Sequence, residues 1–350
     1  MKIVYVMETL TISGGLERIM VSKMNYLADK YGFDVTLIEV YDFTGDDAYK
    51  LSDNVHRLRL KIRKTSILPF KVNTFYHVIK SVKREILRLK PDVMSSSALL
   101  GVMLYAFSRY PCRMVYESHQ ARFTMPFQYL IRRMERNVDD VVCLTQGDAK
   151  EYNIARNVTV IENFNTVKPH DPKYKHRRSK NVVALGRLSE QKDFSMLLDI
   201  WHNIHHRIPA YTLHIVGDGP ERALLQKKIM TLNLSESVVL SPATKDVDSI
   251  YRNADVFVMT SVFEGLPLVI PEAMAYGVPV VSVDISYGPR DIISHGGGII
   301  TRRDVKEMSE AIVGLLSDDI LYDKLSAEAP KVSSRYDVSV IMEQWKKFFS

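Results

Sequence analysis

The feature that most constrains this chain is a rhythm that runs, stops once and starts again. Short apolar, β-branched runs alternate with segments of helical periodicity. In the first half, strands are expected at residues 2–7, 34–40, 55–60, 92–96, 113–117, 141–144 and 158–161, with helices at 16–31, 75–89 and 127–137. In the second, strands are expected at 182–185, 211–216, 238–240, 256–259, 280–283 and 299–301, and helices at 194–206, 221–232, 247–252, 267–276 and 305–316. Alternation of this kind makes a mostly parallel sheet covered on both faces, because each crossover lays a helix on the sheet. Between the halves, residues 167–181 carry Pro169 and Pro172, a dense run of charge and almost no apolar content, the pattern of an exposed linker. The expected organisation is an α/β domain over 1–166, a linker, and a second α/β domain over 182–330. The two are expected to face each other across a cleft. A terminal segment, 331–350, ends in an amphipathic stretch with Ile341, Trp345, Phe348 and Phe349, which needs an apolar surface on either domain or in lipid.

Composition excludes several classes. A chain of 350 residues can bury two cores, and 46% apolar with 25% charged residues is a globular balance. Two cysteines, Cys112 and Cys143, cannot form a disulfide framework and suit a reducing cytoplasm. The N-terminal run 1–7 reads as a buried strand rather than a secretion signal. The apolar run 98–107 has ten residues, against roughly 20 needed to span a bilayer. Residues 52–138 hold 17 Lys and Arg against 5 Asp and Glu, whereas the rest of the chain is net acidic. That asymmetry fits an anionic lipid surface, an anionic substrate or simple solvation. The expected location is cytoplasmic, with peripheral attachment to the inner face of the plasma membrane left open. Nucleic acid is not an expected partner, because the basic stretch lacks regular aromatic interleaving.

Ligands of parallel sheets gather at the carboxyl ends of strands, and the chemically useful residues fall there. Gly14 and Gly15 precede the first helix, where backbone N–H groups can approach an anion, although the dinucleotide fingerprint Gly-x-Gly-x-x-Gly is absent. His119 stands at the end of the 113–117 strand. Arg187 follows the 182–185 strand and Lys192 precedes the next helix, a fork and a point charge suited to a diphosphate. Gly217 sits in a tight turn. Glu264 and Glu272 bracket the junction after the 256–259 strand, with Gly265 allowing close backbone approach and Pro267 suited to a helix start. Pro271 conflicts with a helix beginning at Pro267, so the helix starts later or its first turn is distorted. Each of these also has a bland reading as turn, cap or surface charge. Asp246 and Asp248 form a short Asp-x-Asp, read here as capping for the 247–252 helix rather than a metal site.

Taken in order, Ser13-Gly14-Gly15-Leu16-Glu17-Arg18, Glu117-Ser118-His119, Val160-Ile161-Glu162-Asn163, Gly186-Arg187-Leu188 with Lys192, Gly217-Asp218-Gly219-Pro220, and Glu264-Gly265-Leu266-Pro267 through Glu272 to Val281 resemble the retaining, nucleotide-sugar-dependent glycosyltransferases of family 4. These motifs span most of the chain. The resemblance implies a GT-B fold of two facing Rossmann-like domains, with a C-terminal helix crossing back to the first. It implies that Arg187 and Lys192 hold the donor diphosphate, with Gly14 and Gly15 closing over it. Glu264 then lies by the donor sugar, Glu272 accepts from the ribose, and His119 sits near the reacting region. Leu266 and Pro267 belong to the loop beside the phosphates, and Asn163 to the interdomain crossover. Asp291, with Arg290 beside it, takes the place of an acidic residue usually found later in that segment, and Gln120 and Pro271 also depart from the usual pattern.

The implied reaction is transfer of a sugar, with retention, from a UDP-sugar or another nucleoside diphosphate sugar to a hydroxyl of a glycan or lipid-linked acceptor in polysaccharide or oligosaccharide synthesis. No cofactor and no metal are implied. A UDP-sugar 2-epimerase of similar fold, and a catalytically silent protein binding carbohydrate or nucleic acid, are the competing readings.

Overall fold

The computed structural model describes residues 1–11, 14–64, 70–167 and 178–350. Ser13 of the first glycine motif, and linker residues 168–177 with both prolines, lie outside the described residues. The chain divides into two compact units, Met1–Asn163 with Ser339–Ser350, and Phe164–Val338.

In the first unit the order is β1 Lys2–Met7, α1 Gly15–Tyr31, β2 Asp34–Tyr41, β3 Val55–Ile62, α2 Phe70–Leu89, β4 Val93–Ser97, α3 Ala98–Phe107, β5 Arg113–Glu117, α4 Gln128–Asn137, β6 Asp140–Cys143, α5 Gln146–Glu151 and β7 Asn157–Val160. All neighbouring strands are parallel, in the sheet order β3-β2-β1-β4-β5-β6-β7. Ile3, Val4 and Tyr5 of the central strand are fully buried, as a strand covered on both faces requires. Helix α1 stops at Gly32, whose φ of 65° lets its N–H reach back to the carbonyls of Ala28 and Leu27. The apolar run 98–107, for which no helix is expected from the pattern, forms α3, with Leu100, Val102, Leu104, Tyr105 and Ala106 buried. Its outward face is apolar as well, with Leu99 and Phe107 exposed, so it has no amphipathic signature.

The second unit continues with β8 Asn181–Leu185, α6 Phe194–Ile204, β9 Thr212–Val216, α7 Arg222–Thr231, β10 Val238–Ser241, α8 Val247–Arg252, β11 Val256–Met259, α9 Val269–Ala275, β12 Val280–Val283, α10 Pro289–Ile293, β13 Gly298–Thr301, α11 Val305–Ser317 and α12 Asp319–Ser333. Its parallel sheet runs β10-β9-β8-β11-β12-β13. Both sheets therefore reverse their winding direction once, between β1 and β4 and between β8 and β11, and such reversals open a crevice at the strand ends. Trp201 anchors the second core, fully buried, with its Nε1 donating to Ser237 Oγ at 3.2 Å.

The last helix, α13 Val338–Phe349, has all but its first residue in the first unit. There Arg113 Nη1 donates to Phe348 O at 3.0 Å, and Tyr31 Oη donates to Glu343 Oε2 at 3.1 Å. Trp345 and Phe349 are buried, which corrects the lipid alternative for this stretch: its aromatic face is already covered by protein. Among the described residues no helix is long and apolar enough to cross a membrane. Both cysteines are free.

Candidate active site

The loops leaving β8 and β11 are joined to each other. Val262 N donates to Gln191 O at 2.8 Å, and Thr260 Oγ1 donates to the carbonyls of Lys192 and Asp193 at 3.0 and 2.9 Å. Gln191 Nε2 donates to Phe263 O at 3.0 Å. On this frame Lys192 Nζ donates to Glu264 Oε1 at 2.6 Å, with side chains 18% and 11% exposed. The Lys192 stem passes over Gly186, where an added Cβ would lie 3.1 Å from Lys192 Cε. Arg187, next in sequence, is exposed and makes no ion pair among the described residues. The sheet reversal thus gathers a paired lysine, a carboxylate and an unpaired guanidinium at adjacent strand ends.

Two glycines are required by this geometry. A Cβ on Gly217 would collide with the carbonyl oxygen of Gly186, so the loops after β8 and β9 approach too closely for any side chain there. Gly288 has a φ of 94°, and a Cβ on it would lie 2.6 Å from Pro267 Cδ and 2.8 Å from Gly265 O. Asp291 accepts from Gly288 N at 3.0 Å, so its carboxylate shapes the turn packed against Gly265 and Pro267.

Helix α9 starts at Val269, which resolves the Pro271 conflict: Pro271 falls at the third helical position, where no N–H is needed. Glu272 follows, 1% exposed, and its Oε2 accepts from Tyr251 Oη at 3.0 Å. The Tyr251 ring stacks on Tyr276 at 5.6 Å, and Tyr276 Oη donates to Asp248 Oδ1 at 2.5 Å. Asp248 also accepts from Arg252 Nε at 2.6 Å. The reading of the Asp-x-Asp pair as a helix-start feature therefore holds: Asp246 accepts from Ser249 N at 3.1 Å and Asp248 lies in the first turn of α8, where it also supports the tyrosines behind Glu272. Among the described residues no group of three or more His, Cys, Asp and Glu is placed to hold a metal ion.

In the first unit, β5 ends in Glu117, 1% exposed. Glu117 Oε1 accepts from Ser95 Oγ at 2.6 Å, and Oε2 accepts from the fully buried Lys23 ammonium of α1. Burial raises the carboxyl's pKa, but Lys23 and His119 outweigh it and hold it at about 2. Lys23 is itself pulled below the usual lysine range by burial, against the opposing pull of Glu117. The lysine is covered by the Trp345 ring, 3.8 Å from Nζ, and by Tyr5 at 5.2 Å. His119 Nε2 lies 3.3 Å from Glu117 Oε2, and its Nδ1 is buried without a hydrogen-bond partner among the described residues. Gly14 is the N-cap of α1, extended at φ −145°, and Gly15 opens the helix with nothing within 4 Å of an added Cβ.

Of the residues expected from sequence, the structure brings Lys192, Glu264 and Gly186 together, and it joins Gly265 and Pro267 to Asp291 through the Gly288 turn. Leu266 is buried beside them at 6% exposure. Asn163 makes no side-chain hydrogen bond among the described residues, whereas Asn165, which sequence reasoning missed, is 4% exposed and donates to Pro271 O at 2.9 Å and Ser333 Oγ at 3.3 Å. Lys23, Tyr251 and Gln191 were also missed. Only Lys23 left a signal, a lone charge on the apolar face of α1.

Residues 167–332 match the family model of group 1 glycosyl transferases. The chain is 29% identical to the amylovoran biosynthesis glycosyltransferase AmsD of Erwinia amylovora, over 98% of both proteins. It superposes on TarM of S. aureus, solved with UDP, at a TM-score of 0.83 and 17% identity, covering 100% of this chain and 99% of that one. It superposes on HepE of Anabaena, solved with UDP and glucose, at a TM-score of 0.79 and 19% identity, covering 99% of each. At these identities the two structural likenesses speak to fold alone. With the two parallel sheets they give the GT-B fold, and the sequence matches make the chain a glycosyltransferase related to the group 1 glycosyl transferases.

Proposed function

We propose that this enzyme is a retaining, family 4-type transferase that moves a hexosyl or N-acetylhexosaminyl group from a UDP-sugar to a hydroxyl of a glycan or lipid-linked acceptor in polysaccharide synthesis. The observation that carries the reading is the Lys192–Glu264 pair beside the unpaired Arg187 at the sheet reversal. Departure of the diphosphate is the hard step, since negative charge grows on the leaving phosphate while the sugar becomes cationic. Fixed cations aimed at that oxygen lower the barrier because they need no reorganisation. A lysine ammonium has three donors and Glu264 takes one, so Lys192 can bridge the sugar-orienting carboxylate and a phosphate oxygen. Arg187 supplies the planar fork. Glu272, held by Tyr251, is the proposed acceptor for the ribose hydroxyls, and Gly217, Gly265, Leu266 and Pro267 line the donor. Gly14, Gly15 and His119 are proposed to act on the same donor from the first unit, and Asn163 and Asp291 are secondary candidates.

A UDP donor is supported by TarM and HepE having been solved with UDP. A glycan acceptor is supported by the naming of AmsD for amylovoran biosynthesis. The excess of basic residues over 52–138 supports peripheral attachment to an anionic cytoplasmic membrane face, tested by salt-sensitive binding to phosphatidylglycerol vesicles.

The deciding experiment incubates the enzyme with UDP-glucose and UDP-N-acetylglucosamine, with and without undecaprenyl-linked acceptors, and reads products by mass spectrometry and anomeric NMR. Acceptor-dependent product with retained configuration supports the proposal. Acceptor-free conversion of the sugar nucleotide would establish an epimerase instead.

A further inference from the structure

The buried charges of the first unit do more than pack. A buried ion pair needs no histidine, yet His119 closes on the same carboxylate oxygen that Lys23 uses. Its side chain is 8% exposed, and its other ring nitrogen, Nδ1, is buried with no partner among the described residues. Buried polar atoms in native proteins are nearly always satisfied, so an orphan at a strand's carboxyl end marks a place where a ligand completes the bond.

The chemistry of the missing partner follows from Glu117. An ionised carboxylate only accepts, so Nε2 must carry the proton that faces it. In the neutral ring Nδ1 is then a lone pair and seeks a donor such as a hydroxyl. Glu117 is kept ionised by Lys23, and its second oxygen is occupied by Ser95, so the carboxylate cannot turn away from the ring. Lys23 is in turn sealed by Trp345 of α13, which excludes water that would otherwise compete for Glu117.

We propose that Glu117 is the positioning residue for His119: by taking the Nε2 proton it fixes the tautomer and presents Nδ1 as hydrogen-bond acceptor to a sugar hydroxyl, with Lys23 as its permanent counter-ion. This rests on the transferase reading for the identity of the ligand, but the tautomer itself does not depend on it.

The test uses the full chain labelled with 15N-histidine, with His119 assigned by its loss in His119→Gln. Long-range proton–nitrogen spectra of the wild type are expected to show a protonated Nε2 and a bare Nδ1. Glu117→Gln, whose amide can donate as well as accept, is expected to mix the tautomers. It should lower kcat about 10- to 100-fold with UDP-glucose or UDP-N-acetylglucosamine as donor, while the donor KM moves little, by analogy with carboxylates that orient metal-bound histidines. If Glu117→Gln does not fold by thermal melt, Lys23→Met/Glu117→Gln removes both buried charges together and is measured in its place. A change in the Nδ1 resonance on adding UDP-glucose but not UDP assigns the hydroxyl to the donor. A change with methyl α-glucoside in the presence of UDP assigns it to the acceptor. No change in either arm, a protonated Nδ1 in the neutral wild-type ring, or an unaltered tautomer and kcat in the variants overturns the proposal. Transfer that proceeds normally with the wrong tautomer overturns the positioning role and leaves the transferase reading standing. The expected tautomer and UDP-glucose response without any transfer would do the reverse.

Discussion

The molecule holds two lysine–glutamate pairs at strand ends, and they differ in one physical respect. Lys23 and Glu117 are 1% and 2% exposed, whereas Lys192 and Glu264 are 18% and 11% exposed beside a free Arg187. A pair without water cannot exchange partners, because either charge left alone there costs several kcal/mol. It can therefore fix a neighbour's geometry permanently. A pair at the rim can share its donors with an incoming anion, since water and ligand can replace one another at modest cost. The same two residue types thus suit scaffolding in one unit and chemistry in the other, and burial makes the difference.

That contrast can be broken most directly at Lys23. Lys23→Met should destabilise the protein by about 3–5 kcal/mol, because it strands a buried carboxylate. Lys23→Met/Glu117→Gln should recover most of that loss in a denaturant melt, and equal losses in both would mean the pair is not sealed. At the rim the expectation inverts. Arg187→Ala should leave the melting temperature unchanged and cut kcat by about 10²–10³, the usual effect of removing one group that stabilises developing charge. A folded variant with activity near wild type would place the leaving group elsewhere. Lys192→Ala should cut turnover comparably but also lower the melting temperature, because it removes the partner of Glu264.

Tyr251→Phe sharpens the comparison within the second unit. It removes one hydrogen bond to a buried carboxylate, a loss of about 1.5–3 kcal/mol in stability or UDP affinity. Isothermal titration with UDP would show weaker binding with kcat at saturating donor nearly unchanged. The smallest effect concerns acid. Glu117 is held at about 2 against an ordinary value of 4.5, so its contribution is fully present above about 4.5 and lost as pH falls towards 2. Lys23→Met/Glu117→Gln should lose less stability than wild type across that window, measured by urea melts at stepped pH. A parallel decline in both would assign the acid sensitivity to other carboxylates.

Legibility in the sequence followed the range of the interactions. Strands such as Val256–Met259 and Val280–Val283 could be read to the residue because the apolar run is itself the strand. Helix α12 was not read: its mean hydropathy is near neutral and Pro330 lies inside it, although Asp318 caps it by accepting from Ile320 N and Leu321 N. Helix α9 was read two residues early, because Pro267 can open a helix as readily as it can precede one. In the site, Arg187, Lys192 and Glu264 were legible as charges in the loops after strands, and Glu272 as a carboxylate in the first turn of the following helix. Their partners Tyr251 and Gln191 were not, since nothing local distinguishes a tyrosine behind a carboxylate from one in a core.

By itself the sequence determined the parallel α/β architecture, the glycine turns and the positions of charge along the chain, because periodicity and turn chemistry are properties of neighbouring residues. Tertiary structure decided which charges meet and how wet each meeting place is. Lys23 and Glu117 are 94 positions apart and Lys192 and Glu264 are 72 apart. The latter pair meets because β8 and β11 are adjacent where the sheet reverses, and the former because α1 packs its lysine under β5 and α13 closes over it. Strand order and burial are long-range outcomes of packing, and they turned two similar ion pairs into a scaffold and a candidate site.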